Sequence, residues 1–257
     1  MILIKFGGSV ITDKTRYRTF NAGRVMRLCQ EIKDSGESVI IVHGAGSFGH
    51  MLAKEYSLNE GLKDPSQIPA VAKVCYDMRD LNAMIVKALN DIGIPAVSVP
   101  TGSCFMMDGG DLIVDEPEVL TSMFEKGIMP VMFGDVVMDR KMGFGICSGD
   151  QIMEKLTKVF NPSRVIFVSD IDGLYDKDPK SNKDAVLIEE VTPRTMDEVQ
   201  TDITVDDVTG GVRGKMEVML RMCSDGCDCV LINGTVAGRL LSLLKGETVP
   251  CTIARRE

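Results

Sequence analysis

The sequence predicts an α/β fold, a three-layer αβα sandwich around a mainly parallel central sheet. Short apolar runs alternate along the chain with longer segments whose apolar residues recur every three to four positions, as expected for strands alternating with helices. Several of the short runs are apolar throughout, which is typical of strands covered by helices on both faces. The connections are short, so right-handed crossovers are expected to join consecutive strands into one sheet.

Each element follows from its own residue pattern. Residues 69–89 form the clearest helix, because apolar side chains recur at positions 71, 74, 75, 78, 81, 85, 88 and 89. Residues 170–190 are rich in turn sequences such as Asp-Gly and Asp-Pro, so we expect a loop there with room for a hairpin. The predicted strands are 2–6, 39–43, 96–99, 129–133, 165–168, 229–232 and 249–253, and the predicted helices are 20–34, 69–89, 117–126, 148–160, 212–224 and 236–244.

Length and charge narrow the class of protein. The 257 residues suffice for one large α/β domain or two smaller ones, and we predict a single domain over 1–257. The net charge is −8, the pI is near 5.0 and no stripe of Lys or Arg is present, which argues against nucleic acid and anionic membranes as partners. No signal-peptide pattern and no 18-residue apolar run occurs, so we expect a cytoplasmic protein that binds a small molecule.

The eight cysteines do not indicate a disulfide framework or a metal site. Only Cys223, Cys227 and Cys229 lie close together, and no second pair of ligands follows them. We therefore expect reduced, mostly buried thiols and no protein metal site.

Residues 39–50 combine an apolar strand with a glycine-rich loop. Gly44, Gly46 and Gly49 lack side chains, so backbone N–H groups there can approach a ligand closely. The helix expected to follow directs its positive end toward the same place, which favours an anion, and His50 is positioned to donate a hydrogen bond to it. The alternative is a strand-to-helix turn that binds nothing and carries a surface histidine.

Four polar loops are predicted to share one edge of the sheet, since ligands of such sheets bind at the carboxyl ends of the strands. These loops are 7–9, 44–50, 148–150 and 169–170. Lys5, Lys14 and Lys215 lie beside glycine-bearing loops. Phosphoryl transfer needs alignment of donor and acceptor and neutralisation of charge, both of which such groups provide, although any one lysine taken alone is typical of a protein surface.

Familiar nucleotide-binding motifs are missing or misplaced. The chain has no Gly-x4-Gly-Lys-[Ser/Thr] sequence and no glycine loop followed by a catalytic His-Arg-Asp. Residues 44–49 read Gly-x-Gly-x-x-Gly, so a dinucleotide-binding fold is an alternative. Against it, the motif follows the second strand, and residues 65–70 offer no acidic residue for a ribose.

Five segments, in this order and over the whole length, resemble the amino acid kinase superfamily. They are residues 5–9, the 43–50 loop, Ser148-Gly149-Asp150, residues 169–175, and the late glycines Gly210, Gly211 and Gly214 before Lys215. Residues 9–14 and 43–50 are similar to the isopentenyl phosphate kinases within that superfamily. Relatives acting on acetylglutamate, aspartate, carbamate or UMP share the glycines but are not expected to have a histidine at position 50.

The resemblance implies transfer of the γ-phosphoryl group of ATP to isopentenyl phosphate, giving isopentenyl diphosphate in archaeal-type isoprenoid biosynthesis. It also implies Mg²⁺ bound with ATP, a homodimer, and acceptor binding by about 1–145 with ATP binding by about 146–257. An acceptor phosphate with a second pKa near 6 is largely dianionic at neutral pH and needs no general base.

The resemblance also implies residue roles. His50 and the backbone of Ala45 and Gly149 would hold the acceptor. Lys14 would stabilise the transferring group, and Asp150 would hold Lys5 and Lys215. ATP would contact Lys5, Phe6, Gly7, Gly8, Ser9, Gly46, Asp170, Tyr175, Gly211 and Lys215. Ala45 stands where many relatives have glycine, so its φ must suit a residue with a Cβ.

Several of these residues also have structural explanations. Asp150 could cap the 148–160 helix, Asp170 and Asp172 could be turn residues, Tyr175 could pack at a strand end, and residues 210–211 could be a hinge. Val74, Cys75, Met78 and Met84 are candidates for the wall of an apolar tail pocket, but core packing is the simpler role for them. Two functional alternatives stay open: a related kinase for another phosphate or phosphonate, and a non-catalytic nucleotide-binding regulator.

Overall fold

A computed structural model gives the architecture and describes residues 1–115, 117–177, 179, 181–198, 211–223 and 227–256. Ten α-helices lie within these ranges: α1 (Gly8–Ile11), α2 (Ala22–Ser35), α3 (Gly46–Glu55), α4 (Ile68–Asp91), α5 (Thr101–Cys104), α6 (Glu118–Glu125), α7 (Gly149–Phe160), α8 (Pro193–Glu198), α9 (Gly211–Met222) and α10 (Arg239–Leu244). Short 3-10 turns cover Leu58–Glu60 and Pro65–Gln67.

The same ranges contain fourteen strands. They are β1 (Ile2–Phe6), β2 (Val39–His43), β3 (Ala96–Ser98), β4 (Met106–Asp108), β5 (Asp111–Ile113), β6 (Met129–Phe133), β7 (Asp135–Asp139), β8 (Gly143–Cys147), β9 (Arg164–Ser169), β10 (Leu174–Tyr175), β11 (Leu187–Ile188), β12 (Glu190–Val191), β13 (Asp228–Asn233) and β14 (Cys251–Ala254).

The main sheet has eight strands in the order β12-β14-β13-β9-β1-β2-β6-β3. All neighbours are parallel except β13 and β14, which confirms the mainly parallel sheet. At its centre, Ile2 of β1 is in register with Val39 of β2 and with Arg164 of β9. Strands from the N-terminal and C-terminal halves of the chain therefore meet in the middle of one sheet.

The period-2 alternation of β1 divides the core between the two faces of the sheet. Ile4 and Phe6 pack into the core below α2, α3, α4 and α10, whereas Leu3 packs into the core of the opposite face. Lys5 shares the face of Leu3, and its ammonium lies 5.6 Å from the centre of the Phe167 ring. The buried stem of Lys5 thus packs against apolar side chains while its ammonium reaches the edge of the sheet.

A second sheet, in the order β5-β4-β7-β8, was not predicted from the sequence. Asp139, at the end of β7, organises it by accepting N–H bonds from Gly109, Gly110, Lys141 and Met142, at 2.7–3.0 Å. These four bonds hold the carboxyl's pKa near 2, although burial acts to raise it. The two hairpins of this sheet are thus joined through one carboxylate.

Most predicted element boundaries agree with the structure to within two residues. Helix α2 begins after Asn21, whose side chain accepts from the N–H of Arg24 at 3.2 Å, and ends before Gly36, whose φ is +70°. The expected hairpin in 170–190 is the antiparallel pair β10 and β11. The Cys223, Cys227 and Cys229 thiols are free and buried. Gly210 lies outside the described residues.

No helix within the described ranges combines the length and apolar character needed to cross a membrane. Across those same ranges, no three His, Cys, Asp or Glu side chains form a group able to hold a metal ion.

Candidate functional site

The carboxyl edge of the main sheet is a shelf of backbone formed by four glycines. The N–H of Gly7 donates to Val168 O at 2.8 Å and that of Gly44 to Phe6 O at 2.9 Å. Gly134 donates to His43 O at 3.1 Å and Gly234 to Ser169 O at 2.8 Å. Each glycine therefore continues the parallel ladder one residue beyond its strand. The prediction that the glycine-bearing loops meet at one edge is confirmed.

Two glycines beside this shelf touch each other. A Cβ on Gly8 would lie 2.4 Å from the Gly46 nitrogen and 2.6 Å from its Cα, so neither backbone leaves room for a side chain. Gly46 also has φ +50°, a conformation that favours glycine. Ala45, by contrast, has φ −78° and ψ −32°, which suits a residue with a Cβ as expected. The first two loops of the chain thus meet backbone to backbone.

The two histidines have different environments. His43 is fully buried, its ring stacks on Phe133 at 5.3 Å between centroids, and Asn82 donates to it at 3.1 Å. Burial lowers the pKa of His43 to about 4, so it is a neutral structural residue. His50 lies in α3, one turn after the glycine loop, and is half-buried. Of the two, only His50 stands at the glycine-rich edge with a partly exposed side chain.

A group of opposite charges lies at the N-terminus of α7. The Lys5 ammonium pairs with the Asp150 carboxylate, and both side chains are largely buried, at 9% and 15% exposure. Burial raises the pKa of Asp150, but the charges of Lys5 and Lys215 outweigh it and leave the pKa below its usual value. The pKa of Lys215 is lowered, first by burial and then by the charge of Lys5. These three residues share one electrostatic site.

Asp150 does not cap α7. The cap is Ser148, whose hydroxyl accepts from the N–H of Gln151 at 3.2 Å, so the helix-cap explanation of Asp150 is wrong. Gly149, the next residue, is tightly packed, because a Cβ there would lie 3.1 Å from Cε of Lys5. The backbone of Gly149 and the end of the Lys5 side chain therefore lie side by side.

Asp170 lies across the shelf from this group and binds the first loop. It accepts a hydrogen bond from the Ser9 hydroxyl at 2.8 Å. Burial acts to raise the pKa of Asp170, but this hydrogen bond and the charges of Lys14 and Lys215 lower it. Asp170 therefore stays ionised at neutral pH beside two of the predicted lysines. The charges of Lys5 and Lys215 thus act on Asp150, and those of Lys14 and Lys215 act on Asp170.

Asp172 is more than a turn residue. It pairs with Arg239 and accepts from Asn233 at 3.0 Å and from the Tyr175 hydroxyl at 3.2 Å. The β10 strand, the end of β13 and the start of α10 are thus joined through one carboxylate. Tyr175 is held by its hydroxyl, so its ring has a defined position.

Two polar residues of the site were not predicted. The Thr12 hydroxyl donates to Gly8 O at 2.7 Å and accepts from the N–H of Ser47 at 3.0 Å. The Ser47 hydroxyl accepts from the N–H of Thr19 at 3.3 Å. Together they tie the loop that carries Lys14 to both glycine loops. The sequence signal was the presence of small hydroxyl residues directly beside the glycines.

The predicted tail-pocket residues are mostly core. Val74 and Met78 are buried, and Cys75 and Met84 are half-buried. Met78 packs under α3, where a Cβ on Gly49 would lie 3.1 Å from its sulfur. The third glycine of the loop thus serves helix packing.

Comparison with known proteins agrees with this geometry. The profile of the amino acid kinase family matches residues 1–233. The isopentenyl phosphate kinase of Thermoplasma acidophilum is 38% identical over 242 residues, covering 93% of this chain and 94% of that protein. This chain belongs to the amino acid kinase family and, within it, to the isopentenyl phosphate kinases.

Two further members of the group agree over the full length. The isopentenyl phosphate kinase of Methanothermobacter thermautotrophicus is 34% identical and covers 97% of each chain. The crystal structure of the T. acidophilum isopentenyl phosphate kinase product complex superposes with a TM-score of 0.82 at 32% identity, covering 99% of this chain and 100% of the other. The three-layer fold and the family resemblance found in the sequence are confirmed.

Proposed function

We propose that this family member transfers the γ-phosphoryl group of ATP to isopentenyl phosphate, forming isopentenyl diphosphate for isoprenoid biosynthesis. The observation that carries the proposal is the single edge on which the glycine shelf, the Lys5–Asp150–Lys215 group and His50 come together. Backbone N–H groups and cations at one edge suit two phosphorylated ligands. The choice of isopentenyl phosphate as the acceptor rests on the isopentenyl phosphate kinases that this chain resembles.

The ATP phosphates would lie over β1 and its loop. Residues 5–9 and Gly46 would contact them there, and Lys5 and Lys215 would supply positive charge. Asp150 keeps both ammonium groups in place, because it is ionised between them. Asp170, Tyr175 and Gly211 would complete the nucleotide side, where the Asp172 contacts fix the Tyr175 ring.

The acceptor phosphate would lie between α3 and the start of α7. His50 would donate to one of its oxygens, and the backbone of Ala45 and Gly149 would bind the others. Lys14, which is exposed on the loop beside Ser47, would neutralise the group being transferred. Since the acceptor arrives as an anion, orientation and charge neutralisation are sufficient, and no side chain removes a proton.

We further propose that Mg²⁺ is bound mainly by the ATP phosphates, because the described residues form no carboxylate cage. The N-terminal part, about 1–145, would bind the acceptor and the C-terminal part, about 146–257, would bind ATP. We also propose that the protein is cytoplasmic and forms a homodimer.

The test measures ADP release with Mg-ATP and isopentenyl phosphate for the wild type and His50→Ala. A hydrogen bond to a charged group contributes about 1.5–3 kcal/mol, so kcat/KM for the acceptor should fall roughly 10- to 100-fold with ATP affinity unchanged. The matched control is Lys54→Ala on the exposed side of the same helix, which should behave as wild type.

Wild-type protein that binds ATP but does not phosphorylate isopentenyl phosphate would refute the proposed acceptor. A panel of other small phosphates and phosphonates would then identify a related kinase. Absence of turnover with every acceptor would favour a nucleotide-binding regulator.

A further inference from the structure

The loop that carries Lys14 is short and closed at its base. Thr12 pairs with Phe20 in an isolated antiparallel bridge, and the N–H of Asp13 donates to Thr19 O at 3.0 Å. The Asp13 carboxylate accepts from the N–H of Thr15 at 2.9 Å, which fixes the turn around Lys14. The position of Lys14 therefore depends on where the whole loop is held.

Helix α4 holds this loop through a group of side chains that we call the Asp77 cluster: Tyr17, Arg18, Lys73, Asp77 and Asp80. The Asp77 carboxylate is fully buried. It accepts a hydrogen bond from the Tyr17 hydroxyl and pairs with Arg18 at 3.2 Å and with Lys73 one helical turn away. Two successive residues of the loop are thereby attached to one carboxylate that lies 60 residues after Tyr17 in the chain.

Arg18 has a strained backbone that its contacts maintain. Its φ is +53°, a region that residues other than glycine seldom adopt. Its N–H donates to Ser47 O at 3.3 Å, and its guanidinium pairs with Asp80 and lies 5.6 Å from the centre of the Phe48 ring. Such conformations persist where the surroundings over-determine them, and they cluster at functional sites.

The Asp77 cluster lies between the loop that carries Lys14 and the helix that carries His50. One side of α4 binds the Lys14 loop, and its buried side packs on α3 through Met78 and Gly49, next to His50. A buried carboxylate is costly to desolvate, and apolar residues could join the same elements more cheaply. Hydrogen bonds to the Asp77 carboxylate have fixed directions. They therefore set the distance and orientation between α4 and the loop, which an apolar contact would not do.

We propose that Asp77 is a positioning residue for phosphoryl transfer, which holds Lys14 at a fixed distance from the helix that carries His50. This inference rests on the roles proposed above for Lys14 and His50. Asp77 touches neither substrate. Its effect on catalysis passes through the loop of residues 13–19.

The first test compares Asp77→Asn and Tyr17→Phe with the wild type. A misplacement of about 1 Å lowers a rate by up to about 100-fold, so we expect kcat to fall about 10- to 100-fold in Asp77→Asn with KM for ATP unchanged. Tyr17→Phe removes one hydroxyl from an exposed ring and should show a smaller fall, about three- to tenfold, without loss of folding. Asp91→Asn is the matched control, because Asp91 lies on the same helix and pairs with exposed Lys87.

The second test asks whether the loss passes through Lys14. The residual rate of Lys14→Met is measured by the transfer of labelled γ-phosphate. In this background Asp77→Asn should change the rate by less than about twofold, because the effects of substitutions at interacting residues are not additive. Full additivity would show that Asp77 acts by another route and would overturn the inference.

A third measurement does not depend on activity. Hydrogen exchange of the backbone amides in residues 13–19 should be faster in Asp77→Asn than in the wild type and unchanged in Asp91→Asn. Equal exchange in Asp77→Asn and the wild type would overturn the inference. If the wild type fails to phosphorylate isopentenyl phosphate, the proposed function fails by itself, and the exchange measurement alone decides whether Asp77 holds the loop.

Discussion

The contact between Gly8 and Gly46 leads to a strong prediction for Gly8→Ala. The new Cβ would lie 2.4 Å from the backbone nitrogen of Gly46 and 2.6 Å from its Cα. Carbon atoms in ordinary contact lie about 3.5–4.0 Å apart, so the two loops must separate by roughly 1 Å. Because both obstructing atoms belong to the backbone, no side-chain rotation can relieve the clash.

The separation has two measurable costs. Overpacking of this kind lowers the free energy of unfolding by about 1–3 kcal/mol. A shift of about 1 Å between the two glycine loops also misaligns donor and acceptor, for which a loss of roughly 100-fold in rate is expected. Gly8→Ala should therefore lose most of its turnover while remaining folded at room temperature.

The assay combines ADP release at saturating substrates, calorimetric titration with ATP, and thermal unfolding. Gly23→Ala is the matched control, because Gly23 lies in α2 and a Cβ added there would meet no neighbouring group within 4 Å. That control should gain about 0.4–1 kcal/mol of stability and keep full activity. Turnover of Gly8→Ala within a factor of two of the wild type would refute the argument from close backbone contact.

Two further predictions concern buried carboxylates. Asp150→Asn leaves the buried Lys5 ammonium without its paired carboxylate, so stability should fall by about 3–5 kcal/mol. ATP should then raise the melting temperature more than in the wild type, and an unchanged ATP effect would contradict this. Asp139→Asn tests the second sheet through its pH dependence. The pKa of Asp139 is lowered to about 2 in the folded protein, so the carboxylate stabilises the fold fully above its usual pKa, and this stabilisation is lost as the pH falls toward 2. The melting temperatures of Asp139→Asn and the wild type should therefore differ at pH 7 and converge near pH 2, and a constant difference would exclude the carboxylate as the cause.

The main sheet was predictable because its central strands are buried on both faces. The strand Val39–His43 has four apolar residues and His43 before a glycine, so both the strand and its end can be read from the sequence. The loops 7–9, 44–50 and 169–170 were predictable for the same reason, since each follows such a strand.

The second sheet was missed because its signals are weak or distant. Strands β4 and β5 have three residues each, too few for a clear alternation. Their turn is fixed by Asp139, which accepts from Gly109 thirty residues earlier in the chain. A local pattern does not contain that bond.

The Asp77 cluster was missed for a related reason, although a sign of it was present. Asp77 lies between Val74 and Met78 within the apolar stripe of α4, where a charged residue needs a partner. That partner comes from the Lys14 loop, and only the fold brings the two together. A carboxylate among core positions is thus a marker worth following in sequences of this kind.

The glycine shelf is made by the backbone, whereas the surfaces around it are made by side chains. It consists of main-chain atoms bonded to the neighbouring strands, so substitutions in those strands change side chains without moving the backbone of the shelf. In the proposed function the acceptor tail would contact side chains of the surrounding helices, which can be changed one at a time. Attempts to alter the range of acceptors should therefore mutate the helices and leave the sheet edge untouched, since the proposed phosphate-binding surface is formed by the backbone.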